Sequence, residues 1–295
     1  MKRHLTHIAL PLAALLATAT GSAQQAASGR VTPMTPDVVP HYEQMLPSAD
    51  FIRREAMIPM RDGTKLYTII MMKKGTAKAP ILLSRTPYDA HGSAHRVASQ
   101  RLVDNLDVMD TEFADDGYII VHQDIRGMHR SEGQYVMNRP IAGPLNDTGI
   151  DESTDAYDTI DWLVKNTPET NGKVGIIGSS YLGFTALMAL INPHPALKAA
   201  VPESPMVDGW MGDDWFHNGA FRISSFDYAV GQATNKGDGG GEFALGGGDQ
   251  YSRYLEAGSA ADFARSVGIT NVPGVRKFLE NPAYTEFWSL QAVDK

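Results

Sequence analysis

Short hydrophobic runs alternate with amphipathic stretches between residues 51 and 205. The first two runs flank the turn Arg61-Asp62-Gly63-Thr64 and predict an antiparallel hairpin within residues 54–74. Further aliphatic runs predict buried strands at residues 81–83, 117–123, 174–177 and 197–201. Helical spacing is expected between them, at residues 99–116, 151–165 and 181–191. Because strands and helices alternate, the sequence predicts an α/β fold with a mainly parallel sheet and flanking helices.

The pattern changes after Pro205. Residues 206–295 are rich in Trp, Asp, Gly and Phe, and from Tyr251 onward apolar residues recur at helical spacing, with breaks at Pro273 and Pro282. We interpret this part as a mostly helical cap insertion that follows the first part of the core at residues 51–205. Residues 24–50 are rich in Gln, Pro, Ser and Thr and show no period, which indicates an N-terminal arm or linker.

The N-terminus has the features of a secretory signal peptide. Lys2 and Arg3 precede an apolar run at residues 8–17 and small residues that end at Ala23. Since this run is short for a bilayer and contains Pro11, a cleaved signal is favoured over an uncleaved anchor. The sequence therefore predicts a secreted or periplasmic protein from which residues 1–23 are removed.

The charge and the composition of the chain limit the partners and the catalytic groups that can be expected. The 295-residue chain has a formal charge of −8, and without residues 1–23 it keeps 24 basic and 34 acidic residues, a charge of −10. Nucleic acid and membrane partners are therefore not expected. The chain has no cysteine, which excludes zinc–thiolate sites and a cysteine nucleophile. Any covalent catalysis must use another side chain, and no cofactor is indicated.

The stretch VGIIGSSYLG, residues 174–183, joins a predicted strand to a predicted helix. Reactive groups in parallel sheets collect at the carboxyl ends of strands. Gly178 and Gly183 permit the sharp turn that exposes a serine there, and the helix that follows favours negative charge beside it. We predict that Ser180 is a nucleophile and that Ser179 packs toward the sheet. The alternative, a helix-capping role for Ser180, fits the strand-turn-helix context less well.

Four motifs follow one another along the chain: PMRDG at 59–63, RTPY at 85–88, DIRG at 124–127 with SEG at 131–133, and SYLG at 180–183. In these motifs the chain resembles α/β-hydrolases of the cocaine-esterase and X-prolyl dipeptidyl aminopeptidase type, particularly the α-amino-acid ester hydrolases. The resemblance implies an α/β-hydrolase fold in which Ser180 carries the acyl group. It also implies that the Tyr181 N–H and the Tyr88 hydroxyl form the oxyanion hole. We interpret Asp124 and Arg126 as residues that fix loop geometry.

Adjacent carboxylates, Asp213 and Asp214, stand among aromatic residues at 210–221. Buried unpaired acids are costly, so these side chains should face solvent or a cation. The resemblance implies that Asp214 belongs to a carboxylate cluster that holds the free α-ammonium group of a substrate, with the other members beyond Lys295. Two alternatives are a solvated acidic turn and a metal site formed by Asp213, Asp214 and His217. Because no further ligand follows at a regular spacing, we predict no metal.

A serine nucleophile requires a histidine base oriented by a carboxylate, and in α/β-hydrolases both follow the serine. Only His194 and His217 follow Ser180, one in a loop past the helix and the other in the cap. We therefore expect a fold that is incomplete at the C-terminus, the front portion of a longer polypeptide whose triad Asp and His lie beyond Lys295. Residues 24–295 alone are expected to show little or no hydrolysis.

These observations favour a serine hydrolase acting on esters or amides of α-amino acids, including β-lactam antibiotic side chains. One alternative is a cocaine-esterase-like or glutaryl-acylase-like hydrolase with a different acyl pocket. Another, since no complete triad is present, is a non-catalytic binding protein on a hydrolase scaffold. The resemblance also implies a homo-oligomer of the full-length protein, in which the arm at residues 24–50 reaches a neighbour.

Overall fold

The structure is a computed structural model that describes residues 33–35, 37, 48–212, 214–234 and 249–294. The predicted signal peptide, most of the arm, Asp213 and the glycine-rich stretch at residues 237–248 lie outside these residues. The chain divides into two units, Met1–Pro40 and His41–Lys295. All the elements below belong to the second unit.

Six strands form the main sheet and two form a small ribbon. Their bounds are β1 Phe51–Pro59, β2 Lys65–Lys73, β3 Ala79–Thr86, β4 Ile119–Asp124, β5 Thr170–Ser179, β6 Leu197–Glu203, β7 Phe216–His217 and β8 Ala220–Phe221. The order in the main sheet is β1-β2-β4-β3-β5-β6, and β7 pairs with β8. β1, β2 and β4 are joined by antiparallel pairing, whereas β4, β3, β5 and β6 run parallel. The predicted mainly parallel sheet is confirmed, and the predicted hairpin forms its antiparallel edge.

Helices follow and flank the strands. Their bounds are α1 Ala90–Ser93, α2 Leu102–Asn105, α3 Val108–Asp115, α4 Glu152–Asn166, α5 Tyr181–Met188, α6 Ser224–Thr234, α7 Gln250–Ala257, α8 Ala260–Ser266, α9 Pro273–Glu280 and α10 Glu286–Ser289. Within the described ranges, none of them has the length and apolarity needed to cross a bilayer.

Two helix predictions differ from the structure in detail. The region predicted as one helix at residues 99–116 contains α2 and α3, because Leu106 is extended and Asp107 caps α3 by accepting a hydrogen bond from the Met109 N–H. Pro273 is the first residue of α9 rather than a break. Proline is tolerated there because the amide at the first helical position has no partner within the helix.

Successive side chains of the central strands enter opposite layers. On β2, Leu66 and Ile70 pack into the core that α4 and α5 close, whereas Tyr67 and Ile69 pack against α1, α2 and α3. Because helices cover both faces, the central strands are mainly apolar, as is usual in parallel sheets, with polar residues such as Arg85 and Asp124 near their carboxyl ends. The fold is therefore a three-layer α/β arrangement whose carboxyl strand ends meet at one edge.

The residues after β6 have a hydrophobic core of their own, built largely from aromatic rings. Phe226 of α6 and Phe263 of α8 stack with their centroids 6.4 Å apart, and Phe278 of α9 stacks on Trp288 of α10 at 6.5 Å. This part consists of α6 to α10 and the β7–β8 ribbon. The helical spacing noted after Tyr251 corresponds in part to faces that pack around these rings, since Tyr254 and Phe263 belong to the cluster, whereas Tyr251 and Leu255 are exposed.

Candidate active site

Ser180 lies between the last residue of β5 and the first residue of α5, with φ 59° and ψ −119°. Such a backbone conformation is strained for a residue that carries a side chain. The Ser180 N–H donates to the Glu203 carbonyl of β6 at 3.0 Å, and the side chain is exposed. Ser179 is half-buried and pairs with Glu203 in the sheet. The turn therefore presents the Ser180 hydroxyl at the carboxyl edge of the sheet, in the geometry of a nucleophile elbow.

Two glycines leave room for this turn. A Cβ on Gly178 would overlap the Cβ of Leu182, and a Cβ on Gly183 would overlap the carbonyl oxygen of Glu203. Only glycine allows backbone and neighbour to approach this closely. The first turn of α5 can therefore lie directly against the ends of β5 and β6.

Tyr181 is the first residue of α5, and its main chain and side chain lie in different environments. Its amide is at the first helical position, where the N–H has no acceptor within the helix and the positive end of the helix dipole lies. Its side chain is buried, and the hydroxyl accepts a hydrogen bond from the Asn138 N–H at 2.9 Å. The side chain thus anchors the elbow while the main chain offers an N–H beside Ser180.

Tyr88 follows β3 and packs its ring edge-to-face on Tyr181, with the centroids 6.5 Å apart. Its hydroxyl lies 2.8 Å from the hydroxyl of Tyr228 on α6. Burial raises the pKa of Tyr88 above its usual value, and the charge of Asp214 raises it further, whereas hydrogen bonds with Tyr228 and Ser180 oppose the shift. The phenol beside Ser180 therefore keeps its proton at neutral pH and can donate it in a hydrogen bond.

Asp124 supports the loop that carries Tyr88. Its carboxylate accepts hydrogen bonds from the Ala90 N–H at 2.6 Å and the Arg130 N–H at 3.3 Å. Burial raises the pKa of Asp124 to about 6, although these two N–H groups favour the charged form. The contacts agree with the loop-fixing role predicted for this residue.

Buried arginines tie the same region to α4. Arg126 pairs with Asp62 at 2.7 Å and with Asp155 of α4 at 2.6 Å. Arg85, at the end of β3, is fully buried and pairs with Glu152 of α4 at 2.9 Å. Each guanidinium thus lies next to a carboxylate of α4, which is the usual condition for charges inside a protein. Arg126 therefore has the structural contacts that the sequence indicated.

A cavity of about 490 Å³ lies in front of the elbow, a size typical of small-molecule sites. Of the residues predicted for the site, Ser180, Tyr181 and Asp214 line it. Tyr88 is connected to it through its hydrogen bond with Tyr228, which also forms part of the wall. The structure therefore brings all four predicted residues to one place.

The cavity wall carries more acid than base. Asp214 and Asp227 contribute two carboxylates and Arg222 contributes one guanidinium, so the formal balance is negative. Trp215 and Tyr228 supply aromatic faces, with their ring centroids 5.5 Å apart. A small cation in this space would gain from Coulomb attraction and from the aromatic rings.

The fold and the elbow match a known group of proteins. The sequence profile described as X-Pro dipeptidyl-peptidase (S15 family) matches residues 62–295. The chain belongs to this family. The match contains the DIRG and SYLG motifs and continues through the helical residues after β6.

Two solved structures are similar to this S15-family chain. An α-amino acid ester hydrolase is 57% identical, with a TM-score of 0.82, over 90% of this chain and 43% of that one. An aminopeptidase from the marine sediment archaeon Thaumarchaeota archaeon is 48% identical, with a TM-score of 0.82, over 90% of this chain and 44% of that one. The predicted α/β-hydrolase fold and the resemblance inferred from the motifs are thereby confirmed.

A curated relative extends the comparison. Cocaine esterase of Rhodococcus sp. (strain MB1 Bresler) is 30% identical over 175 residues, which are 59% of this chain and 27% of the esterase. The S15-family chain thus spans less than half the length of the two solved structures and about a quarter of the esterase.

Neither histidine that follows Ser180 lies at the cavity. His194 is placed 3.5 Å from Asp161 and edge-to-face on Tyr157, both on α4. His217 of β7 has its Nδ1 3.1 Å from the Gly212 carbonyl oxygen. In the described part of the chain, no histidine lines the cavity, so the wall supplies no imidazole base for Ser180.

The metal alternative finds no support in the same residues. The described ranges contain no group of three or more His, Asp or Glu side chains able to hold a metal ion. Asp214 and His217 are described, whereas Asp213 lies outside these ranges.

Sequence reasoning missed most residues of the cavity wall, among them Asp227 and Tyr228. Both lie on α6, where Phe226, Ala229 and Val230 form the buried face. That helical spacing is visible in the sequence, but it says only which face is buried. No motif indicates that the neighbouring side chains turn toward a cavity.

Proposed function

We propose that the intact protein is a serine hydrolase that forms an acyl-enzyme on Ser180 and acts on esters or amides of α-amino acids. The observation that supports this proposal best is one cavity whose wall contains the strained Ser180, Asp214 and Tyr228, with the Tyr88 hydroxyl 2.8 Å from that of Tyr228. The names of the two solved relatives, an α-amino acid ester hydrolase and an aminopeptidase, support this substrate class. β-Lactam antibiotics with α-amino acyl side chains belong to it.

In the proposed reaction, the Ser180 Oγ attacks the substrate carbonyl carbon while a general base takes the hydroxyl proton. The carbonyl oxygen becomes an oxyanion between the Tyr181 N–H and the Tyr88 hydroxyl. Collapse of this intermediate breaks the bond to the leaving alcohol or amine, which receives the proton from the base. Water then attacks the acyl group and releases the acid, and Ser180 recovers its proton. The base must come from outside the described cavity wall, because no histidine lines it.

Covalent labelling tests this proposal on the intact gene product. A fluorophosphonate should attach to Ser180, as located by mass spectrometry of peptides, because the elbow exposes this hydroxyl. The Ser180→Ala variant should not be labelled, whereas Ser179→Ala, with the same loss one residue earlier, should be. Labelling at another serine, or unchanged labelling of Ser180→Ala, would contradict the assignment and favour a binding protein on a hydrolase scaffold.

Asp214 is proposed to bind the α-ammonium group, with Asp227 on the same wall. Asp214→Asn keeps the size of the side chain but removes its charge, and hydrogen bonds to charged groups contribute about 1.5–3 kcal/mol. We expect kcat/KM for free-amino esters to fall about tenfold to 100-fold, with little change for N-acetyl esters. The ratio of the two kcat/KM values measures the effect.

Asp262→Asn is the matched control for long-range charge. Asp262 pairs with Arg265 on the exposed side of α8, so its replacement should leave the ratio unchanged.

An unchanged ratio in Asp214→Asn would instead favour the second candidate, a cocaine-esterase-like hydrolase of other carboxylic esters. The similarity to cocaine esterase over 59% of this chain is the observation behind that candidate. A secreted or periplasmic location and a homo-oligomer stay predictions from the sequence.

A further inference from the structure

A second cavity, of about 470 Å³, lies next to α6 and is separate from the one at Ser180. Its wall is formed by the loop at residues 127–137, by α6 and by the start of α9. Tyr228 of α6 faces the first cavity, while Ala229 and Gln232 of the same helix face the second. The proposed reaction uses nothing on this second wall.

Lys277 of α9 is the charged group of the second cavity. It is half-buried, and its ammonium has no hydrogen bond or ion pair with any described residue. None of the described residues that line the cavity carries a carboxylate. Burial lowers the pKa of Lys277, and the positive charge of Arg139 lowers it further. A half-buried cation that is held beside another cation lacks the compensation that buried charges usually have.

Arg139 adds to this electrostatic imbalance. Its guanidinium donates to the carbonyl of Gln134, a residue of the cavity wall, at 2.7 Å. Lys165, by contrast, has an acidic neighbour, Asp161, at 2.7 Å. The charge that acts on Lys277 is thus the positive charge of Arg139, and an anion in the cavity would supply the missing partner.

The other residues of the wall indicate what kind of molecule would carry the anionic group. Apolar side chains cover most of it: Met128, Val136, Met137, Ala229, Ala233 and Pro273. Methionine adapts to the shape of flexible apolar groups. A single ammonium is a point charge suited to a monoanion, whereas a phosphate dianion is usually held by several donors.

We propose that this second cavity is a binding site for a small organic carboxylate, whose carboxyl group pairs with Lys277 and whose apolar body contacts Met128 and Met137. The site is distinct from the proposed catalytic cavity, and it does not depend on the chemistry assigned to Ser180. Its size is within the range of small-molecule sites.

Titration calorimetry of the intact gene product with hexanoate and its neutral analogue hexanamide tests the proposal. Hexanoate should bind saturably and about tenfold or more tightly than hexanamide, because the charge-assisted hydrogen bond is absent from the amide. Lys277→Met should abolish this preference, and Lys277→Arg should retain most of it. Arg276→Met is the matched control: it removes the neighbouring positive charge, which is exposed and lies 3.5 Å from Glu280.

Other outcomes would overturn the proposal. They are equal affinities for hexanoate and hexanamide, no saturable binding of hexanoate, and unchanged binding to Lys277→Met. Loss of binding in Arg222→Met but not in Lys277→Met would place the ligand in the cavity at Ser180 instead. Thermal unfolding establishes that each variant is folded, and Lys277→Gln replaces Lys277→Met if the latter is not.

Discussion

Gly183→Ala is expected to destabilise the protein by about 3 kcal/mol or more, at the upper end of the range for overpacking. The added methyl would overlap the Glu203 carbonyl oxygen, which the hydrogen bond from the Ser180 N–H holds in place. Relief requires that α5 move away from β6 or that this hydrogen bond break, and either change displaces Ser180. Urea unfolding should show the lower free energy of unfolding, and fluorophosphonate labelling of Ser180 should slow in the same variant.

Gly231→Ala is the control for this substitution. Gly231 also lies in a helix, α6, but a Cβ added there meets no atom within 4 Å. Alanine favours the helix over glycine, so this variant should be more stable by about 0.5–1 kcal/mol. If Gly183→Ala behaved like Gly231→Ala, the close approach of α5 to β6 would not constrain the elbow.

The elbow could be predicted from the sequence because its determinants are local. A hydrophobic strand, a glycine, a serine and a second glycine on the following helix lie within residues 174–183, and the structure places them as β5, the turn and α5. The hairpin of β1 and β2 could also be predicted, since its turn residues at 61–64 lie between its strands. Local spacing specifies these elements whatever the rest of the chain does.

The order of the strands in the sheet and the residues of the cavity were harder to predict from the sequence. The sheet order places β4 between β2 and β3, which depends on packing between segments far apart in the chain. Tyr228 meets Tyr88 across 140 positions, and no periodicity within either segment indicates that contact. The break between α2 and α3 also escaped prediction, since it rests on the cap at Asp107 rather than on the apolar spacing. The site therefore contains contacts that form only when the chain folds, and the sequence motifs do not predict them.

Tyr88→Phe is expected to lower kcat for an α-amino acid ester by about 100-fold to 1,000-fold, the cost of one oxyanion donor, with a smaller effect on KM. The substitution removes the hydroxyl and keeps the ring that packs on Tyr181. Because burial raises the pKa of Tyr88 above its usual value, the donor stays protonated below that pKa, so its ionisation should not reduce activity near neutral pH. Steady-state kinetics of the intact gene product measure both constants.

The Tyr228→Phe variant tests whether the Tyr228 hydroxyl acts by orienting the Tyr88 hydroxyl, the proposed oxyanion donor. This variant loses the other hydroxyl of the same 2.8 Å contact but keeps the Tyr88 phenol next to Ser180. If Tyr228 acts by orienting Tyr88, kcat should fall by about fivefold, the value of one ordinary hydrogen bond, and clearly less than in Tyr88→Phe. Wild-type kcat in Tyr88→Phe would remove Tyr88 from the oxyanion hole. Equal losses in the two variants would mean that the hydroxyl pair acts as one unit, with the donor effective only when Tyr228 fixes its direction.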